Sequence, residues 1–441
     1  MYNTQHQMSS FAGGGGNHNV DTEEERVRET VRAAVAMCDV IDVHTHLFPP
    51  SHGGLMLWGI DELLTYHYLV SEFFMVAPSE LTYEAFFALS KREQADLVWD
   101  HLFLKRLPIS EAQIGVLTTL NMLGLQDKVK KRDLAGIRKW FSKQDIDQYA
   151  RGVFRIAGVK YAVMTNNVFL EEERAHWLKN GKDVPSYLRS AIRVDPLLKG
   201  DWRTVTAALR SEGFAETMEG LRQFLTAWAS RIGPMYLMAS TPADFVYGAN
   251  DVPREPGWPT ATEFIDAALI PVARKLNLPL AMKIGAWRGM SPSLNSCGGG
   301  DGVVVSDVTP IRELCHNFPD VKFLATFLSR VNQHEVCILS QKFRNLHIYG
   351  CWWYLNNPSI IEEITKMRVE LLGSAFTAQH SDCRILDQIL YKWKHSRAVI
   401  STVLEDQYVR LYKSGWNLEG DEIVRDVQRV LGGSFEEFLA K

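Results

Sequence analysis

The chain is predicted to be an α/β protein, a (β/α)8 TIM-like barrel with a helical insertion after its first strand. Two observations point there. Short apolar runs alternate with helical stretches along most of the 441 residues, and eight such runs can be counted. Repeats of this spacing build a parallel sheet, and eight units suit a closed barrel better than an open sheet. Secondly, polar and titratable residues gather at the C-terminal tips of those runs, where a barrel of this kind does its chemistry.

Taken in order, residues 1–20 are polar and Gly-rich without an apolar h-region, and are expected to form a flexible tail rather than a signal peptide. Residues 21–38 carry caps at Asp21 and Thr22, acidic residues in the first turn, and Val27, Val31, Ala34 and Val35 on one face, which predicts a helix. DVIDVHTH then reads as a buried strand ending in a polar tip. Residues 60–148 follow a helical pattern with no convincing strand, so the barrel is assigned to 21–59 and 149–441 and the insertion to 60–148. The remaining strands are expected at 159–165, 190–196, 234–240, 278–285, 321–329, 346–353 and 374–382. Helices are expected between them, at 214–232, 261–276, 308–316, 332–342 and 360–372.

Composition narrows the function. Apolar residues make up 46% and charged residues 23%, an ordinary globular balance. The net charge of −4 favours neither nucleic acid nor a membrane surface as partner. No apolar stretch approaches the roughly 20 residues of a membrane span. Six scattered cysteines without a CxxC pair read as reduced thiols of a cytoplasmic protein. Twelve Trp are many for this length; sugar sites use such rings, although core packing is the commoner role for any one of them.

His44-Thr45-His46 is the first candidate site. On a strand, residues i and i+2 share a face, so both imidazoles can reach one ion. Zn²⁺ takes imidazole nitrogen at about 2.1 Å. An HxH pair alone is weak evidence and also occurs in surface loops; its position at the tip of the opening strand strengthens it. Barrel closure brings strand eight beside strand one, which makes Asp382 the natural third ligand, its simpler role being a cap for the following helix. Two histidines and a carboxylate leave coordination positions open, as a catalytic metal requires. Arg193, Lys283, Arg330, Trp352, Trp353 and Arg384 occupy other tips. Guanidinium groups bind carboxylates bidentately, so several of them on a net-acidic protein point to an acidic substrate, although each taken singly could be a structural ion pair.

The HxH on strand one with an Asp on strand eight resembles the amidohydrolase superfamily. DVHTHLF, DELLTYHYLV, the Arg of AIRVDPLL, GCWWYLNNP and the terminal HSDCR are together similar to the uronate (glucuronate) isomerase family, from about residue 30 to the C-terminus. The resemblance implies an aldose–ketose isomerase acting on D-glucuronate and D-galacturonate by C2-to-C1 proton transfer through an enediol. It implies one divalent metal, zinc first among Zn²⁺, Mn²⁺, Fe²⁺ and Co²⁺, on His44, His46 and Asp382. His67 and Tyr68 of the insertion would meet the sugar, with Asp382, Tyr68, His67 and Arg384 catalytic. Arg193, Arg330, Trp352, Trp353 and Lys283 would bind substrate. Two positions depart from the better-known branch: Lys283 in MKIGAWR stands where that branch has His, and ASTPADF lacks its Asp after strand four. Lys283 either replaces the His as a hydrogen-bond donor or points elsewhere. The alternative is a metal-dependent hydrolase of a lactone, amide or phosphate ester, against which the lack of strand-four and strand-six ligands counts. A catalytically dead sugar sensor would not need the whole set. A homo-oligomer is expected.

Overall fold

The computed structural model describes residues 17–181 and 183–441. Of the expected tail, residues 1–16 lie outside the described residues, and the first helix begins at Asn17 rather than 21, running to Met37.

Seven parallel strands make one sheet. They are β1 (Val40–Thr45), β2 (Val159–Asn167), β3 (Leu188–Arg193), β4 (Leu237–Ser240), β5 (Leu280–Ile284), β8 (Phe323–Phe327) and β9 (Leu346–Ile348), side by side in that order. Between β5 and β8 the chain folds back as a short antiparallel ribbon of β6 (Ala286–Trp287) and β7 (Gly302–Val303). Every residue of β1, β4, β5, β8 and β9 is buried, as strands covered on both faces must be, which is why their sequences read as continuous apolar runs. The sheet is curled. Ile41, Val43, Tyr161, Val163, Ala191, Met238, Ala281 and Leu324, drawn from β1 through β8, meet in one inner cluster closed by Phe435 and Phe438.

The helices between strands follow the predicted pattern with shifted ends. The helix expected from 214 starts at Met218, because Thr217 caps it by accepting from Gly220 N. The third strand stops at Arg193 rather than 196, since Asp195-Pro196 opens a helical turn, Asp195–Leu198, in which proline's fixed φ is at home. The seventh stops at Ile348 rather than 353, where Gly350 (φ 69°) and Trp353 (φ 52°) break the extended backbone. Between β1 and β2 the described residues hold helices and no strand, among them His67–Phe74, Lys91–Trp99 and Glu111–Met122. Ser90 and Ser110 open the latter two with capping boxes.

The strand expected at 374–382 is not a regular strand. It forms a single bridge, Tyr349 to Thr377. Three backbone donors here go to side chains rather than into a ladder: His380 N to Gln379 Oε1 (2.9 Å), Ser381 N to Asp42 Oδ1 (3.0 Å) and Cys383 N to Ser381 Oγ (3.3 Å). Asp382 itself has φ 50°, outside the extended region. The segment nonetheless touches both edges of the sheet. Gly350 N donates to Thr377 O at 2.9 Å, Asp382 N to His44 O at 3.2 Å, and His46 N to Cys383 O at 2.7 Å.

Candidate active site

β1 delivers His44 and His46, and the irregular 376–383 segment delivers Asp382. Their ligand atoms all lie within 4.8 Å of one another. Asp382 Oδ1 stands 3.1 Å from His44 Nε2 and 3.4 Å from His46 Nε2. Thr165 Oγ1, at the end of β2, holds His46 Nδ1 at 3.0 Å and so turns Nε2 toward the carboxylate. The two imidazole rings are 5.0 Å apart and nearly perpendicular.

Lys283 of β5 reaches the same atoms from across the sheet. Its Nζ donates to Asp382 Oδ1 at 2.7 Å and lies 2.5 Å from His44 Nε2, while the indole of Trp352 covers it at 4.6 Å. Burial pushes the lysine down to about 8 although the carboxylate opposes this. Burial would raise the Asp382 carboxyl, but the ammonium and the two imidazoles outweigh it and hold it well below the usual carboxylate range. Burial, then the charge of Lys283, lowers His44, and burial lowers His46 to about 4. At neutral pH the site therefore holds two neutral imidazoles and an ionised carboxylate. Those are the protonation states that metal ligands need, and the donor set fits a divalent ion.

Above these groups opens a cavity of about 610 Å³. Of the residues predicted from sequence, His46, His67, Arg193, Lys283, Trp352, Trp353, Asp382 and Arg384 line it. Arg193 is held by Asp195, its Nε and Nη2 both reaching Oδ2 at 2.9 and 2.6 Å, and Asp195 Oδ1 is in turn fixed by Ser240 N at 2.9 Å. Burial brings the His67 imidazole down to about 3, so it faces the cavity neutral.

Two predicted residues stand apart. Arg330 is not brought to the cavity: it begins the turn after β8 in solvent, where its Nε donates to Glu363 at 2.7 Å. Tyr68 lies behind the wall, its ring 4.2 Å from that of His67 and its hydroxyl buried without a partner. The tyrosine on the cavity is Tyr66. Arg288 was also missed. It reaches the cavity from the β6–β7 ribbon, is paired to Asp301 and lies 5.7 Å over the Trp353 ring. Its place in MKIGAWRG, five residues after Lys283, is the one signal that could have found it.

A curled parallel sheet whose first strand ends in His-x-His, met by an aspartate from the segment after its last strand, is the arrangement that the resemblance to the amidohydrolase superfamily implies. Similar solved structures make the family specific. A uronate isomerase from Bacillus halodurans is 42% identical, with a TM-score of 0.88 over 95% of this chain and 97% of that one. A uronate isomerase from Thermotoga maritima (15% identity, 94% and 97% covered) and a glucuronate isomerase from Caulobacter crescentus (14%, 95% and 95%) share the fold, each with a TM-score of 0.74. No family model and no curated protein sequence matches the chain. The chain belongs to the uronate isomerase family and is an isomerase.

Proposed function

We propose that the enzyme interconverts D-glucuronate with D-fructuronate and D-galacturonate with D-tagaturonate. The observation that carries the mechanism is the ionised Asp382 carboxylate, buried at the floor of a cavity that Arg193, Arg288 and Arg384 also line. An acidic sugar suits this charge distribution: the guanidinium groups take its carboxylate and hydroxyls, and the aspartate is left to act as a base.

With Oδ1 engaged by Lys283, Asp382 takes the C2 proton of the open-chain aldose on Oδ2. The C2–H electron pair becomes the C1–C2 double bond, and the C1 carbonyl oxygen becomes the enediolate oxygen. Arg384 steadies that oxygen. The proton returns to C1, and the O2 proton passes to O1, leaving the ketone at C2. His67, which lines the cavity, shuttles protons between sugar oxygens during ring opening. A divalent ion, zinc in this reading, would be held by His44, His46 and Asp382 and would polarise the sugar oxygens. Trp352 and Trp353 give the sugar an apolar wall.

Three further assignments belong to this reading. The barrel, 21–59 with 149–441, closes as eight units; the hydrogen bonds of 376–383 to both sheet edges support it, and 60–148 is the insertion carrying His67 to the site. The enzyme works in the cytoplasm as a homo-oligomer on a small molecule, without nucleic acid or membrane partner; no helix among the described residues is long and apolar enough to cross a membrane. The hydrolase alternative is disfavoured, because neither LMAS of β4 nor FLATF of β8 carries the lysine or histidine ligand such hydrolases use there.

Purified protein incubated with each uronate, assayed for the ketouronic acid, tests the reading. Ketose formation with solvent deuterium entering C1 is expected. No ketose with Zn²⁺, Mn²⁺ or without added metal would refute it, and ketose wholly free of deuterium would replace proton transfer by a hydride shift.

A further inference from the structure

We infer that Lys283 is a resident cation of the metal centre: its ammonium holds His44 and Asp382 together in the metal-free enzyme, and an incoming metal ion displaces it from both, leaving it only the face of Trp352. The inference rests on the metal reading of His44, His46 and Asp382 given above.

The geometry is one of direct competition. Lys283 Nζ lies 2.5 Å from His44 Nε2 and 2.7 Å from Asp382 Oδ1, two of the three atoms that would ligate an ion. A neutral imidazole nitrogen has one lone pair, and it cannot accept from an ammonium and ligate a metal at once. The lysine is not a surface side chain that wandered in. It sits in the middle of the sheet, between Ser240 of β4 and Thr326 of β8, and its carbonyl accepts from Thr241 N at 2.9 Å. Its backbone is therefore fixed, and only the end of the four-carbon stem can swing. Trp352 is the partner the ammonium keeps when it withdraws from His44 and Asp382, since its buried ring already lies 4.6 Å from Nζ, at cation–π distance.

The arrangement has two consequences. Without metal, the ammonium supplies the positive charge that the buried Asp382 carboxylate requires and a donor for the His44 lone pair, so the site stays assembled. With metal, two like charges stand close together beside the same ligand atoms, and the ion binds less tightly than the donor set alone would allow. Competition of this kind is reciprocal: removing the ammonium must strengthen metal binding.

Zinc affinity of the full-length protein, measured by competition with a chromophoric chelator, tests this alongside thermal midpoints in EDTA and in zinc. Lys283→Met is expected to bind Zn²⁺ on the order of 10-fold tighter than wild type or more. It should melt lower than wild type in EDTA and recover with zinc, whereas Lys283→Arg keeps the charge and stays near wild type. Trp352→Leu removes the one partner left to the displaced ammonium and is expected to bind zinc more weakly; it also decides the matter should the Met variant fold only with metal. Equal or weaker zinc binding by Lys283→Met, or unchanged stability in EDTA, overturns the role of Lys283 while leaving the metal site standing. Zinc binding that is absent from wild type, or that survives His44→Ala with His46→Ala, overturns the metal reading and this inference with it.

Discussion

Trp393 Nε1 donates to Asp42 Oδ2 at 2.8 Å and ties the long helix Gln388–Lys413 to the first strand from inside the protein. The other oxygen of the same carboxylate accepts from Ser381 N at 3.0 Å, and Lys392 Nζ donates to Ser381 O at 2.6 Å. The backbone on the N-terminal side of Asp382 is thus clamped from both sides. Burial lifts Asp42 to about 6, with the bonds from Ser381 and Trp393 pulling the other way.

Truncating Asp42 should therefore loosen Asp382 as well as the fold. Asp42→Ala leaves two buried N–H groups without an acceptor, at roughly 1–3 kcal/mol each. Asp42→Asn is expected to cost less but more than a surface change, because its amide NH2 must face one of those donors. The check is the urea midpoint of both variants with kcat for the isomerisation. A variant that keeps wild-type stability and rate would mean that the clamp positions nothing.

Asp382→Asn keeps the shape and removes the base and its charge. A fall in kcat of about 10²- to 10⁴-fold is expected, the usual range for a lost general base. It also leaves the Lys283 ammonium buried without its counter-ion, so the thermal midpoint should drop too. Rate and melting point measured together distinguish a base from a purely structural carboxylate, which would lower the melting point and leave the rate of the folded fraction intact.

Much of this centre is legible in the sequence. His44, His46 and Asp382 announce themselves because polar groups interrupt apolar runs at strand ends, and β–α alternation says which ends adjoin. What the sequence hides is cross-sheet geometry. Nothing in MKIGAWR says that Lys283 reaches His44, because that contact depends on the curl and register of strands far apart in the chain. Arg288 is hidden in the same way: it arrives by a ribbon that doubles back, not at a strand tip. Arg330 misleads for the opposite reason. It stands just past a strand end, yet Ser329 caps a turn there that carries its side chain outward to Glu363. The eighth strand was read as regular because 374–382 has suitable residues; the side chains of Asp42, Gln379 and Ser381 take the hydrogen bonds a ladder would use.

The arginines divide into a working pair and a control. Arg384→Met and Arg193→Met remove guanidinium groups that line the cavity, and KM for a uronate should rise about 10- to 100-fold, matching the roughly 1.5–3 kcal/mol of a charge-assisted bond. Arg384→Met should also lower kcat if that group steadies the enediolate. Arg330→Met breaks only an exposed pair, worth about 0–1 kcal/mol, and should leave both constants unchanged. Steady-state kinetics on the three proteins decides the matter; an Arg330 variant as impaired as the other two would return that residue to the substrate.

Stability should fall in mild acid, and His347 shows why. Its ring is buried against Phe438, its Nε2 lies 3.0 Å from Thr377 Oγ1, and burial, with help from Lys441 and Arg368, lowers it from 6.5 to about 3. Above pH 7 neither the folded nor the unfolded chain protonates this ring, so it contributes no pH dependence. Below about 6.5 the unfolded chain takes up a proton that the folded chain refuses. The folded state then loses about 1.4 kcal/mol per pH unit from this one residue until the folded pKa is reached. His347→Gln cannot take up that proton in either state. It is expected to be the less stable protein at pH 7.5, since it loses the stacked ring, but the gap to wild type should narrow by about 1.6 kcal/mol between pH 6.5 and pH 5. Urea unfolding of the two proteins at several pH values measures the gap directly. A gap that stays constant over that range would mean that His347 titrates normally in the folded protein.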